Sequence, residues 1–293
     1  MLRNFSIGVA IGVLCFAAAC SPSKRKLSIG AGSTTEQNVL TELLAQHIAA
    51  KMGVEVFVRT GLGVTATTHQ ALMVNEVDMY VDTLGALSAV VLKEKADSDA
   101  AMSMERVAKE LERTSRIQIL NQLGVNDPYV LIVRTKDAAE RKIKTISEAA
   151  ASKPAWDLAM TSDFQSRRDG NLAMQSAYSL PLKSVPVPRA PDEMYHLLEG
   201  GSIGMIAGSM IDGRLVNPEF TVLEDDKHAF QPAQLCVVVR LDTNQAFPEL
   251  KGTIGQLNGK LSVELLRKLN AQVDVKHRPV KDVVADFTAG RIQ

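Results

Sequence analysis

A glycine turn near the amino terminus carries residue types that could bind an anionic group. Residues 26–37 read KLSIGAGSTTEQ, a short apolar run followed by glycines and hydroxyl residues, and an apolar-periodic segment comes next. A dinucleotide-binding turn would have a third glycine where Thr35 stands, and an acid about twenty residues later. The next apolar run ends instead in Arg59 and Thr60. The sequence therefore argues against a dinucleotide site.

Two residues of this turn, Ser33 and Thr34, remain candidates for ligand binding. Backbone N–H groups and hydroxyls converge at the amino terminus of a helix, where they favour an anionic group. Capping of the helix, with Glu36 or Gln37 completing a capping box, explains the same residues, and the two roles are compatible. The glycines of the turn would let the backbone come close to a bound group.

The pentapeptide GGSIG, residues 200–204, matches the nucleophile motif G-x-S-x-G. A nucleophile elbow requires a strand before the serine and a helix after it. Here the helix-like PDEMYHLLE precedes and the strand-like IGMIAG follows, so we expect Ser202 in a helix-to-strand turn, with Gly200 ending the helix. An extracytoplasmic hydrolase using Ser202 is therefore the least favoured function.

The remaining reactive side chains form no recognisable catalytic or metal-binding set. No two histidines stand at metal-ligand spacing, and Cys236 lies alone in AQLCVVVR, a run typical of a buried strand. A lone buried thiol is more often a core residue than a nucleophile. We therefore predict no catalytic residue, no metal and no cofactor. The histidines are His47, His69, His196, His228 and His277.

The amino terminus has the three-part pattern of a secretory signal. Residues 1–19 contain Arg3, then an uncharged apolar run, then small residues directly before Cys20. This looks like a bacterial lipoprotein signal that is cleaved before Cys20, which is then acylated, leaving 20–26 as a tether. An ordinary secretory signal cleaved after Ala19 is the alternative. Either pattern places the mature chain outside the cytoplasm, in the periplasm if the organism is Gram-negative.

Length and charge limit the classes of function. About 270 residues remain after cleavage, which is enough for two lobes. Lysine and arginine number 33 and so do aspartate and glutamate, so the chain has no electrostatic footprint for nucleic acid. With one cysteine left outside the signal and the lipid site, no disulfide framework is possible.

Strand-like and helix-like segments alternate along the chain. KLSIGAG, VEVFVRTG and VDMYVDT are strand-like, and the segments between them have helical periodicity, which predicts a parallel sheet built from βαβ units. Ligand sites in such folds lie at the carboxyl ends of the strands. The coils that could line a site there are GAGSTTE, RTGLGVT, DTLGAL, NDPY, SDFQSRRDG, AGSMIDGR and DDKHAFQPA.

Residues 27–290 resemble the substrate-binding proteins of osmoprotectant ABC importers, the glycine betaine, choline and carnitine type. The resemblance implies an α/β fold, the type II periplasmic-binding-protein clamshell, with each lobe a mixed, mostly parallel sheet flanked by helices. It places lobe I at 27–126 plus 231–293 and lobe II at 127–230. The blocks that carry it, in the same order, are TEQNVLTELLAQ, RTGLGVTATTHQAL, VDMY, DPYVLIVR, KTISEAA, DFQSRRDG, IDGRL, VLEDDKHAF and GKLSVELLRKLNAQVDV.

In this family a box of tyrosines holds the quaternary ammonium group, because a cation that cannot donate hydrogen bonds is best bound by ring faces. Of the positions that the resemblance assigns to the box, only Tyr129 keeps a ring. Losing three rings, at roughly 0.5–2 kcal/mol each, costs several powers of ten in affinity. A shift of one or two residues in this placement would bring in Tyr195 or Phe230. The assigned positions are Thr83, Tyr129, Gly208 and Ala233.

The resemblance also implies that the carboxylate-binding part of the site is retained in Arg167. A guanidinium fork is suited to a ligand carboxylate. Asp127, two residues before Tyr129, is also retained and could meet a protonated amine. Thr83 and Ser209 could hydrogen-bond the same amine. A surface salt bridge remains the structural alternative for Arg167, and packing at the hinge for Tyr129.

The sequence thus predicts an extracytoplasmic solute-binding lipoprotein of an ABC importer. We expect a small zwitterionic or carboxylate ligand of the osmoprotectant type, a permease subunit at the membrane as partner, no catalysed reaction, and a monomer. Closing the lobes around the solute would present a surface to the permease. A ligand-sensing lipoprotein without a transport role would have the same cleft and is the first alternative.

Overall fold

The computed structural model describes residues 25–93, 100–231 and 233–292. The predicted signal peptide of residues 1–19 and the lipidation site at Cys20 lie outside these ranges. None of the helices within them combines the length and the apolar character needed to span a bilayer. The described chain forms two β-sheets, each packed against helices on both faces.

The first sheet draws its strands from both ends of the described chain. It comprises β1 (Lys26–Gly30), β2 (Glu55–Arg59), β3 (Met79–Thr83), β4 (Ile117–Asn126) and β9 (Gln234–Arg240). The strand order is β2-β1-β3-β9-β4. β1 pairs in parallel with β2 and β3, whereas β9 pairs antiparallel with β3 and β4.

The second sheet lies between β4 and β9 in the sequence. It comprises β5 (Tyr129–Arg134), β6 (Leu158–Ala159), β7 (Met205–Ser209) and β8 (Phe220–Leu223), in the order β6-β7-β5-β8. β6 and β7 are parallel, and β5 pairs antiparallel with β7 and β8. The mixed α/β class is as predicted.

The parallel share of each sheet is smaller than predicted, and the strand β4 was not anticipated. β3 and β4 both run toward the second sheet, whereas β9 returns from it. A strand that enters a sheet from the opposite end must run antiparallel to its neighbours, which is why β9 breaks the parallel pattern. The segment that forms β4, IQILNQLGVN, alternates apolar and polar residues too irregularly to stand out in the sequence.

Helices cover both faces of both sheets. Those of the first sheet's region are α1 (Thr35–Met52), α2 (Thr65–Met73), α3 (Leu84–Ala86), a π-helix (Leu87–Val91), α4 (Ala100–Ser115), α10 (Leu241–Ala246), α11 (Leu250–Gly255), α12 (Val263–Asp274) and α13 (Val280–Thr288). Those of the second are α5 (Thr135–Arg141), α6 (Ile146–Ala151), α7 (Ser162–Ser166), a π-helix (Arg168–Leu172), α8 (Ala173–Tyr178), α9 (Pro191–Glu199) and a 3₁₀-helix (Gly213–Val216).

The core is divided into clusters by the faces of the sheets. On the first sheet α1, α11, α12 and α13 pack on one face, and α2, α3, the first π-helix and α4 pack on the other. Successive residues of β3 serve opposite faces, with Met79 in the first cluster and Tyr80 in the second. On the second sheet α6, α7 and α8 pack with the buried Trp156 on one face, and α9 packs on the other.

Local sequence signals explain several helix starts and turns. Thr145 and Glu148 form a capping box at the start of α6, and Pro191 occupies the first turn of α9. Ser202 lies in the turn between α9 and β7, the reverse of the strand-to-helix order that a nucleophile elbow requires. By contrast, SDFQSRRDG was expected to be coil and contains α7 and the second π-helix.

The chain crosses between the sheets at two hydrogen-bonded segments. The backbone N–H of Asp127 donates to the Ala233 carbonyl (2.9 Å), and the Ala233 N–H donates to Asn126 Oδ1 (2.6 Å). The segment after β7 also packs on α12, where Asn270 Nδ2 donates to the Ile211 carbonyl (2.8 Å). The lobe boundaries at 126/127 and 230/231 remain a prediction about which parts move together.

Candidate ligand-binding cleft

A cleft of about 560 Å³ lies between the two sheets. Each of the coils that the sequence placed at the carboxyl ends of the strands contributes to its lining. The structure also brings every residue predicted to bind ligand to this one cleft. Their binding roles remain predictions. They are Ser33, Thr34, Thr83, Asp127, Tyr129, Arg167 and Ser209.

Arg167 is held by two carboxylates beside the cleft. Its Nε and Nη2 donate to the two oxygens of Asp169 (2.9 and 2.6 Å), and Nη1 donates to Asp163 Oδ2 (3.3 Å). Burial alone would lower the pKa of Arg167, but the hydrogen bonds and charges of Asp169, Tyr129 and Asp163 outweigh it and raise the pKa further. Of five N–H donors, these bonds use three, which leaves one on each terminal nitrogen.

The local backbone fixes the position of this arginine. Thr161 caps α7 by accepting from the Phe164 N–H (3.2 Å), and Arg167 ends that helix in an extended conformation. The following turn brings Asp169 back beneath the guanidinium. A β-carbon at Gly170 would overlap the Phe164 carbonyl oxygen, so the turn depends on glycine there.

Tyr129 belongs to an aromatic cluster and not to an open cage. Its hydroxyl donates to Asp163 Oδ2 (2.7 Å), and its ring meets Phe164 edge-on at 4.8 Å between centroids. Phe230 lies 6.3 Å away, and the Arg167 guanidinium lies 5.1 Å over the tyrosine ring. One ring face of Tyr129 is therefore already occupied by a cation of the protein itself.

The other positions assigned to the tyrosine box line the cleft without contributing a ring. Thr83 Oγ1 caps α3 by accepting from the Ala86 N–H (3.2 Å). A β-carbon at Gly208 would lie 3.0 Å from Ile132 Cδ1, and Ala233 is 9% exposed. Two further rings that line the cleft, the alternatives to these positions, are Tyr195 and Phe230.

Asp127 and Ser209 are bonded to each other. Ser209 Oγ donates to Asp127 Oδ1 (2.7 Å), and the same oxygen accepts from the Ile211 N–H (3.2 Å). Burial raises the pKa of Asp127 to about 6, and the hydrogen bonds from Ser209 and Ile211 oppose the shift. Together the two residues hold the turn that follows β7. The Ser209 hydroxyl therefore already donates its hydrogen bond to an acceptor of the protein.

Ser33 and Thr34 lie exposed at the edge of the cleft. Thr34 Oγ1 accepts from the Gln37 N–H (3.3 Å), which makes Thr34 the cap of α1. The Ser33 N–H donates to the Gly63 carbonyl (3.0 Å). The capping explanation is therefore confirmed for Thr34. The Ser33 hydroxyl makes no hydrogen bond within this turn.

Acids dominate the cleft, although the whole chain is neutral. The sequence did not single out most of them, because they are scattered over distant coils and only the fold brings them together. Burial, together with the neighbouring Asp212 and Asp127, raises the pKa of the half-buried Glu36 to about 8. The lining arginines are Arg167 and Arg214, and the lining acids are Glu36, Asp82, Asp127, Asp163, Asp169, Asp192, Asp212 and Asp274.

The second lining arginine is engaged in the same way as the first. Arg214 Nη1 lies 3.2 Å from Asp212 and 3.3 Å from Asp274, and Nη2 pairs with Asp192. Its guanidinium lies 5.2 Å over the ring of Tyr195. Both arginines of the lining are thus stacked on a tyrosine and surrounded by carboxylates.

Comparison with known proteins assigns the chain to a family. Residues 25–290 match the substrate-binding domain of ABC-type glycine betaine transport systems. The chain belongs to that family. Family members of this kind bind small solutes outside the cytoplasm and work with permease subunits.

Individual relatives cover nearly the whole chain. The carnitine transport binding protein OpuCC of Listeria monocytogenes is 28% identical over 280 residues, which are 93% of this chain and 91% of that protein. A glycine-betaine-binding protein of Pseudomonas aeruginosa is 28% identical over 282 residues, 93% and 89% of the two chains. A crystal structure of a glycine betaine/carnitine/choline ABC transporter component superimposes with a TM-score of 0.78 at 24% identity, covering 90% of this chain and 98% of that one. The family's solute-binding fold is therefore established.

Proposed function

We propose that this chain is the extracytoplasmic solute-binding lipoprotein of an ABC importer, and that its solute is a small zwitterion or carboxylate of the osmoprotectant type. The relatives named for carnitine and glycine betaine support a solute of that size and class. Lipid attachment at Cys20, action as a monomer and the absence of a catalysed reaction are parts of the same proposal.

The observation that carries the proposal is the arrangement of Arg167. Its bonds to Asp163 and Asp169 leave two N–H groups unused. These two groups belong to different terminal nitrogens. One N–H on each terminal nitrogen thus remains for the two oxygens of a ligand carboxylate. Because the side chain is only 11% exposed, a ligand carboxylate would meet the guanidinium with little competition from bulk water.

The cationic end of the solute would find fewer ring faces than the family pattern provides. The Arg167 guanidinium already lies over the ring of Tyr129, and the Arg214 guanidinium already lies over the ring of Tyr195. Each ring face withheld from a quaternary ammonium forfeits roughly 0.5–2 kcal/mol. Glycine betaine itself is therefore a less favoured ligand than the family name suggests.

The test is isothermal titration of the mature, lipid-free protein with glycine betaine, choline, carnitine and a panel of amino acids. We expect binding of at least one carboxylate-bearing solute, and none of choline, which lacks a carboxylate. Arg167→Lys keeps the positive charge beside Asp169 but loses the paired donors, and should weaken binding at least about tenfold.

The matched control is Arg113→Lys, which changes an exposed arginine paired with Glu110 on α4, far from the cleft lining. It should leave the titration unchanged. Absence of heat with every carboxylate-bearing solute, or equal affinities in the wild type and Arg167→Lys, would contradict the proposal.

A further inference from the structure

Asp82 presents a buried carboxylate oxygen that has no hydrogen-bond partner. The residue lies near the end of β3, is 6% exposed and lines the cleft. Its Oδ1 accepts from the Thr83 N–H (2.7 Å), and among the described residues no donor reaches Oδ2 with hydrogen-bonding geometry. Buried polar atoms are almost always bonded, so an exception calls for a missing partner.

The surroundings of Asp82 show that it is ionised and not a neutral core residue. Burial raises its pKa to about 6, while the Thr83 N–H, the charge of Arg167 and a hydrogen-bonding interaction with the nearby Thr65 hydroxyl oppose the shift, and Asp163 adds to it. At neutral pH the ionised form therefore prevails. The Thr65 hydroxyl does not reach Oδ2 with hydrogen-bonding geometry, so this oxygen stays available to a ligand. A buried negative charge with one unbonded oxygen is costly unless a cation or donor meets it.

Asp82, near the end of β3, and Arg167, at the end of α7, lie close enough for the charge of Arg167 to act on Asp82. Gly85 in α3, directly after β3, lies near the same arginine's partner, since a β-carbon there would lie 3.6 Å from Asp169 Oδ2. Arg167 is thus surrounded by Asp82, Asp163 and Asp169, so carboxylates outnumber the guanidinium before any ligand arrives. A ligand that brought only a carboxylate would increase this excess of negative charge.

Asp274 also lines the cleft with a buried oxygen that makes no hydrogen bond, but that oxygen is ion-paired, at 3.3 Å from Arg214 Nη1. Three other acids of the lining already have donors. Asp169 holds Arg167, Asp127 holds Ser209 and Ile211, and Asp212 accepts from the Arg214 N–H (2.8 Å). Asp82 Oδ2 is therefore the acceptor best placed for a cation carried by the ligand.

We propose that Asp82 is an ammonium subsite, and that the ligand's cationic nitrogen bears at least one N–H, which it donates to Asp82 Oδ2 while the ligand's carboxylate binds Arg167. The chemical class is an amine zwitterion, such as an amino acid or its partly N-methylated form. A quaternary ammonium cannot donate, so it would leave Oδ2 unbonded in a closed cleft. The inference rests on the proposed function for the carboxylate end.

A methylation series measures the contribution of the N–H group with the carboxylate held constant. The wild-type mature protein is titrated with glycine, N-methylglycine, N,N-dimethylglycine and glycine betaine, and in parallel with 4-aminobutyrate and its N-trimethyl derivative. In each series, we expect the most methylated compound that still has an N–H group to bind at least about tenfold more tightly than the quaternary compound. Removing the donor leaves the buried charge without a partner. This comparison needs no variant.

Asp82→Asn, which removes the charge at nearly constant shape, then locates the effect. In this variant the preference for the N–H compound should shrink to less than about threefold. The matched control Asp282→Asn changes an exposed aspartate in the first turn of α13 and should keep the wild-type preference.

The outcomes separate the two proposals. Binding of the quaternary compound as tightly as the amine, or a preference that persists in Asp82→Asn, overturns the Asp82 subsite and leaves the proposed function standing. Failure of every compound in both series to bind overturns the proposed zwitterion function, and the subsite with it.

Discussion

Buried acids set the chemistry of the cleft at the scale of single residues. Burial raises the pKa of Asp82 and of Asp127 to about 6, and that of Glu36 to about 8. These shifts share a cause, which is the removal of carboxylates from water next to other carboxylates. The charges of these carboxylates are therefore disfavoured mainly by burial and further by mutual repulsion, and a ligand cation, or a proton, would relieve both.

The raised pKa of Glu36 can be tested through the stability of the protein, without knowing the ligand. Its pKa is 4.5 in the unfolded chain and about 8 when folded, so the folded state binds this proton more tightly. The stability contributed by the bound proton is fully present below pH 4.5 and is lost as the pH rises through 8. Glu36→Gln should therefore be more stable than the wild type at pH 9, by on the order of 1–3 kcal/mol, and similar at pH 5.

Urea unfolding of both proteins at pH 5 and pH 9 measures the difference. Glu55→Gln, at an exposed position on β2, is the control and should follow the wild type at both values. An equal stability change of wild type and Glu36→Gln between the two pH values would show that Glu36 is not the buried acid described here.

At the scale of elements, the segment from β7 to the 3₁₀-helix ties the second sheet to α12. Ile211 is fully buried in the first sheet's core cluster, and Asn270 holds its carbonyl. Arg267 Nε donates to the neighbouring Met210 carbonyl (2.7 Å). The backbone approach is so close that a β-carbon at Gly213 would overlap the backbone of Asn270 and Ala271.

Gly213→Ala should therefore destabilise the protein by about 1–3 kcal/mol or more, because the clash is with helix backbone and cannot be relieved by a side-chain rotation. Gly252→Ala in α11 is a matched control, since a β-carbon there meets no atom within 4 Å. The control should be neutral or slightly stabilising. Thermal unfolding of the three proteins measures both effects, and equal melting temperatures would mean that the β7–α12 contact is easily displaced.

At the scale of the whole molecule, the charge of the cleft differs from that of the chain as a whole. The chain has 33 basic and 33 acidic residues, yet the lining of the cleft is mostly acidic. The excess of acids in the lining would attract the cationic group of a solute to the space between the sheets. The proposed tether would keep that cleft close to a permease in the same membrane.

The tether makes a prediction about location. In a bacterial host, the full chain should fractionate with membranes, and Cys20→Ser should release it to the soluble extracytoplasmic fraction, because a lipid chain cannot attach to serine through a thioether. Cys15→Ser, within the apolar run of the signal, should remain with the membranes. Membrane association that is unchanged in Cys20→Ser would rule out the lipid anchor.

The sequence by itself determined the α/β class and the coils that surround the cleft. Both follow from local causes, because glycine turns and capping residues mark where strands and helices end, and strand ends converge in this fold class. The turn at Ser202 was predictable for the same reason, since it depends on neighbours within a few residues. Arg167 was singled out by resemblance to a family, and its binding role remains a prediction.

Only the tertiary structure decided how those residues are used. Nothing near Arg167 in the sequence indicates that Asp163 and Asp169 occupy three of its donors, or that Asp82, 85 positions earlier, lies near it with an unbonded oxygen. The strand β4 and the antiparallel direction of β9 were likewise hidden, because they depend on where the chain crosses between sheets. Burial and pairing are long-range properties, and a carboxylate's pKa and partner follow from them and not from its own position in the chain.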